Sequence, residues 1–247
     1  MRFRRALFVL PIVVLLLAVA SAPARAQQPP PTADQVSAAV QRFYESIGTL
    51  RTHFQLTQFQ RVSGHYVRGA GELLIKRPGK MRFNFDADPT SPNHGNVLVS
   101  DGARIQQFAP GDDGEPGQVV ETSMADSDLT GPLSFLLGTG RLDAQFTFRL
   151  VPPPADFHAG GTLRPYVLEL TPKTPTPHYE KVLLFVSYDS VHSVAGVSRI
   201  VIINHVGDRT KYEFSAPVWN ARANVRDEDF RFTAPVGTQR ITPGNMR

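Results

Sequence analysis

The chain has 247 residues, 41% of them hydrophobic with 16 Phe, and no cysteine. This is too apolar for a disordered chain, and it excludes disulfides, iron–sulfur clusters, cysteine-ligated zinc, thiol catalysis and lipidation on cysteine. The net charge of +4 suggests a nucleic-acid or membrane partner, but Arg2, Arg4, Arg5 and Arg25 all sit in the first 26 residues, which hold no acid; the remaining 221 carry 22 basic and 22 acidic side chains, so nucleic acid is excluded as a partner.

Residues 1–26 read as a secretory signal. A basic start is followed by an apolar run broken only by Pro11, then the small-x-small site Ala24-Arg25-Ala26. The run is almost long enough for an uncleaved anchor. The polar, proline-rich stretch directly behind it favours cleavage after Ala26, and hence export. Thr32 then opens a capping box with Gln35, and Val36, Ala39, Val40, Phe43 and Ile47 follow at helical spacing, closed by Gly48.

From Leu50 the period changes to two. Leu50, Thr52, Phe54 and Leu56 share a face; so do Leu73, Ile75 and Arg77, and, after a turn at Pro78-Gly79, Met81, Phe83 and Phe85. Further strands are predicted at 97–100, 104–108, 119–123, 146–151, 166–170, 182–188, 197–203 and 211–214. Ten to twelve short strands with short turns predict an antiparallel meander, sandwich or barrel. One apolar helix interrupts them at 129–137, with Pro132 near its start and Gly138 behind it. Proline- or glycine-rich loops at 110–117, 152–154 and 172–177 read as surface excursions within one domain spanning 27–247.

No catalytic motif emerges. The seven histidines (53, 65, 94, 158, 178, 192 and 205) are dispersed without metal-site spacing, and no nucleophile elbow, Walker loop or complete G-x-G-x-x-G is present. Asp86/Asp88 and Asp126/Asp128 read as solvated turns. The anomaly is Arg77, whose parity sends it to the apolar face. An unpaired guanidinium there is costly, so it either finds acceptors or snorkels to solvent from the strand's end.

Several segments together resemble the periplasmic outer-membrane lipoprotein carriers, the LolA family. They are Phe54-x-x-x-Gln58, Gly71-x-Leu73 leading to Lys76-Arg77-Pro78, Met81-Arg82-Phe83, Ser100-Asp101-Gly102 and Phe230-x-Phe232-x-x-Pro235-x-Gly237. The resemblance runs from the first helix to about Ile241. It implies a mainly β fold: an incomplete, unclosed antiparallel β-barrel whose apolar concave face is covered by short lid helices. It also implies a monomeric periplasmic chaperone without cofactor or covalent chemistry. Such a protein takes acylated lipoproteins from an inner-membrane lipoprotein-releasing ABC transporter and passes them to an outer-membrane lipoprotein receptor.

In the family the arginine of the Arg-Pro pair bonds carbonyls of a lid helix and holds the empty cavity shut. Arg77 matches it, and residues 132–137 match the lid. Leu73, Ile75, Met81, Phe83, Leu133, Leu136 and Leu137 are the expected acyl-chain cavity, with ordinary core packing as the alternative for each. Val36, Val40 and Phe43 would also cover the concave side. Met81 departs from the aromatic that family members often carry there, and the three loops lengthen the chain. Docking on membrane partners would use local charge such as that of residues 77–82. The same barrel also suits a carrier of another lipid, such as a glycolipid or hopanoid, or a lipid-sensing regulator.

Overall fold

The computed structural model describes residues 29–241 except 89, 112–114, 125–129, 162 and 190–193. The signal segment, Asp126, Asp128, Leu129, His192 and the middle of the 110–117 loop lie outside the described residues. Up to Pro30 only two prolines without regular structure are described, and Pro31–Arg247 forms a compact unit of its own.

Thr32 caps α1 (Ala33–Glu45) through the expected box: its hydroxyl accepts from the Gln35 amide, and the Gln35 side chain accepts from Thr32 N–H. The helix stops before Gly48, because Ser46 takes the cap position and donates to the carbonyls of Arg42 and Phe43. Gly48 serves the sheet instead. Its carbonyl accepts from Arg77 N–H at 2.9 Å and its N–H donates to Asn220 Oδ1 at 2.8 Å.

The described residues form β1 (Thr49–Gln60), β2 (His65–Lys76), β3 (Lys80–Phe85), β4 (Val97–Asp101), β5 (Arg104–Ala109) and β6 (Gln118–Ser123). Then come α2 (Thr130–Leu137), α3 (Leu142–Gln145), β7 (Phe146–Val151), β8 (Arg164–Pro172), β9 (Lys181–Asp189), β10 (Val194–Ile203), β11 (Arg209–Trp219) and β12 (Gln239–Ile241). The strands make one sheet in the order β12-β6-β5-β4-β3-β2-β1-β11-β10-β9-β8-β7. Two meanders meet where β1 pairs with β11, Phe54 opposite Phe214. All pairings are antiparallel except the parallel contact of β12 on β6. The edges β12 and β7 do not pair with each other, so the barrel is open.

Alternation explains the layering. Leu50, Phe54, Leu73, Ile75, Met81 and Phe83 point to one side and join α1 and α2 in the main core. Gly71 is required in β2, because a Cβ there would collide with the Asn84 carbonyl of β3. The opposite side is not bare. Leu74 and Val99 pack beneath Phe230, and Val167 and Phe185 beneath Phe157 of the loop after β7. Residues 152–154 are exposed, as expected, and the same loop is anchored further on by Phe157, its ring 5.1 Å from that of Phe185.

The segment around Phe230 is a strap. Arg82 Nη1 donates to the carbonyls of Asp229 and Arg231, and both Lys76 and Lys80 bind the Asp227 carboxylate. Charges expected to serve docking at residues 77–82 are therefore engaged within the chain. The two lysines lower Asp227 from the ordinary carboxylate value of 3.8 to about 2. A depressed folded-state value adds stability that is complete above pH about 4 and lost as pH falls through about 2. Asp227→Asn should therefore be less stable than the wild type near neutrality, the difference vanishing as pH approaches about 2. Urea titrations followed through Trp219 fluorescence check this, and a pH-independent gap would refute it.

Candidate functional site

α2 is short, but it is packed on every side. Pro132 stands near its start, and described side chains from Pro132 to Leu137 are all buried. A helix apolar all round belongs between two layers. Here Phe135, fully buried, meets the Tyr44 ring of α1 edge-on at 5.2 Å, and Leu133, Leu136 and Leu137 face the sheet. The helix ends at Gly138 (φ +68°) with Thr139 N–H on the Ser134 carbonyl, a left-handed cap that glycine adopts without strain.

Leu73, Ile75, Met81, Phe83, Leu133, Leu136 and Leu137 all line one cavity, together with Tyr212 and Phe214 of β11. Each of the seven is at most 5% exposed. The space left among them is only about 10 Å³, about the room of one water. Burial among these apolar walls pushes the Tyr212 hydroxyl up to about 12. A second cavity, of about 140 Å³, adjoins it and shares Leu73, Leu136 and Phe214. Of the α1 residues, Val36 and Val40 are fully buried, while Phe43 is half-buried against Trp219, ring centroids 5.4 Å apart.

Arg77 lies half-buried where β2 runs into the turn. Its Nη1 donates to the Tyr44 carbonyl in the last turn of α1, and its guanidinium lies so close over Gly138 that a Cβ there would collide with it. Burial lowers Arg77 from its ordinary value, opposed by the Glu45 carboxylate. α2 is held by a different group of the same turn: Gly79 N–H donates to the Leu137 carbonyl at 2.8 Å. One five-residue turn, 76–80, therefore touches α1 through Arg77, α2 through Gly79 and the strap through Lys76 and Lys80. On parity alone Arg77 could have reached solvent; the carbonyl at the end of α1 gives it a partner instead.

Tyr44, Phe135, Tyr212, Phe214 and Trp219 escaped the sequence-based selection. Tyr44 continues the Val36–Val40 spacing by one more turn, and Tyr212 and Phe214 alternate like β2, so a signal for these three was present. Among the described residues no cluster of His, Asp and Glu could hold a metal ion. Asp88 serves its own turn, with Oδ1 accepting from the Thr90 amide and hydroxyl.

The model of the family described as "Outer membrane lipoprotein carrier protein LolA" matches residues 45–233, which include Arg77, the turn, α2 and both cavity walls. The outer-membrane lipoprotein carrier protein of Nitrosospira multiformis is 26% identical over 206 residues, covering 83% of this chain and 87% of that protein. Among solved structures, a LolA superfamily protein from Nitrosomonas europaea aligns with a TM-score of 0.45 at 13% identity, covering 82% of this chain and 99% of that one. A putative outer membrane lipoprotein-sorting protein domain from Vibrio parahaemolyticus gives 0.43 at 11% identity, covering 81% and 95%. With more than half its length matched by the family model, this chain belongs to the LolA family of outer membrane lipoprotein carrier proteins.

Proposed function

We propose that the protein is a periplasmic chaperone that carries the acyl chains of lipoproteins from an inner-membrane releasing ABC transporter to an outer-membrane receptor, as a monomer, without cofactor or covalent chemistry. The observation that carries this reading is an apolar cavity closed by a helix whose leucines face it, fastened at one turn by few hydrogen bonds. An acyl chain loses about 0.8 kcal/mol of favourable burial for each methylene exposed to water, so it must travel covered. The cavity has room for one water, so entry requires α2 and α1 to move away from β2 and β3. Arg77–Tyr44 and Gly79–Leu137 oppose that motion, and net contributions of about 1.5–3 kcal/mol from the charged donor and about 1 kcal/mol from the neutral one keep the open form accessible. Closure then refills the cavity with Leu133, Leu136 and Leu137 and returns the cargo.

The test is release. Protein lacking residues 1–26 is incubated with spheroplasts loaded with an outer-membrane lipoprotein, and the soluble fraction is assayed for a complex. A soluble complex is expected. Absence of release, with a glycolipid co-purifying instead, would overturn the lipoprotein assignment.

A further inference from the structure

The sheet has a split. β10 and β11 pair from Ile203/Arg209 only as far as Arg199/Glu213, although β10 reaches back to Val194 and β11 runs on to Trp219. Beyond that point residues 194–198 stay on β9, and β11 from Phe214 onward follows β1. Local irregularities accompany the divergence. The register shifts at Val197/Arg199 on β10 and at Arg51/His53 on β1, Ala216 has φ +49°, and Pro217 has no N–H to give a ladder. The cavity of about 140 Å³ occupies this gap. Ser187, Gly196, Ser198 and Pro217 line it with Leu50, Leu73 and Leu136, and it adjoins the space beneath α2, with Leu73, Leu136 and Phe214 as shared walls.

An unpaired strand edge inside a protein needs partners. At Val197 one side chain supplies both: the Tyr44 hydroxyl accepts from Val197 N–H at 3.2 Å and donates to the Val197 carbonyl at 3.4 Å. The carbonyl of the same Tyr44 is the acceptor of Arg77, and its ring packs on Phe135 of α2. The end of α1 and the unpaired edge of β10 are thus joined through one residue, its carbonyl on Arg77 and its hydroxyl on Val197.

We propose that the β10/β11 split is a lateral slot for a fatty acyl chain, whose ester or amide carbonyl takes the Val197 N–H that Tyr44 vacates. The inference rests on the carrier reading. The chain runs past Leu50 and Leu136 into the space beneath α2, and its polar end stays among the hydroxyls of Ser187 and Ser198. A slot in the side of the sheet lets the polar part of an acylated cargo remain outside while its hydrocarbon is buried, and Tyr44 ties opening of the slot to opening of the lid.

Two photoreactive palmitic acids test this, one with a diazirine beside the carboxyl group and one with a diazirine at the methyl end, each with excess palmitate as competitor. The expected crosslinks of the first map to 194–198 or 214–219, and those of the second to α2, β2 or β3. Tyr44→Phe keeps the ring but frees Val197 N–H, so the carboxyl-end probe should label the slot severalfold more; an unchanged yield would remove Tyr44 as the gate. Methyl-end labelling of the cavity with carboxyl-end labelling elsewhere would overturn the slot and leave the carrier reading standing. If neither probe gives competable labelling, both fall.

Discussion

Arg77→Leu shifts the protein toward an open cavity and raises the binding of a hydrophobic dye severalfold. The variant removes a charged donor from the Tyr44 carbonyl, a bond of a kind that contributes about 1.5–3 kcal/mol. Loss of that amount changes the open-to-closed ratio by roughly 10- to 150-fold. The lower end is expected, because leucine also relieves the cost of keeping a guanidinium half-buried. Bound palmitate should leave more slowly by a similar factor, since closure is the step that expels it. Arg77→Lys retains one donor and should fall between wild type and leucine. Dye titration and stopped-flow displacement measure both effects, and an unchanged dye signal in the leucine variant rules out the latch.

Phe135→Ala lowers thermal stability by the largest amount of any single lid substitution. The ring is fully buried between α1 and the rest of the core, and truncating such a phenylalanine costs about 3–5 kcal/mol. For a domain of this size the melting temperature should drop by on the order of 10 °C. Dye binding should rise at the same time, because the missing ring loosens the seat of α2 under Tyr44. Calorimetry in parallel with dye binding checks the pair. A melting temperature within 2 °C of wild type would show that α2 is not part of the cooperative unit, and the lid would then open by local unfolding.

Much of the site could be read locally. Leu73, Ile75, Met81 and Phe83 follow a period of two, and Leu133, Leu136 and Leu137 crowd a segment with Pro132 before them and Gly138 behind. These signals arise from near neighbours in the chain, so they survive without knowledge of the fold. The same holds for the α1 capping box, which needs only Thr32 and Gln35. The helix stop expected at Gly48 falls at Ser46 instead, for the opposite reason: Gly48 answers to Arg77 and Asn220, groups far away in sequence.

Composition and periodicity alone therefore established the absence of cysteine, the charge balance of residues 27–247 behind a basic first 26 residues, the β-rich class and the apolar faces that meet at the cavity. What no local pattern carries is where each polar group finds its partner. Arg77 could have reached solvent; only when α1 lies across the sheet does the Tyr44 carbonyl come within its range. The Lys76–Lys80 turn receives the strap only because Asp227, some 150 residues later, returns to it at 2.9 Å from Lys76. The split between β10 and β11 depends on β11, which pairs with β1 on one edge and β10 on the other, keeping β1 beyond Glu213 while β10 departs, a divergence that neither strand's sequence expresses. Hydrophobic burial has no direction and is written in the pattern of side chains, whereas a hydrogen bond requires two particular groups at about 3 Å, and folding alone brings them there.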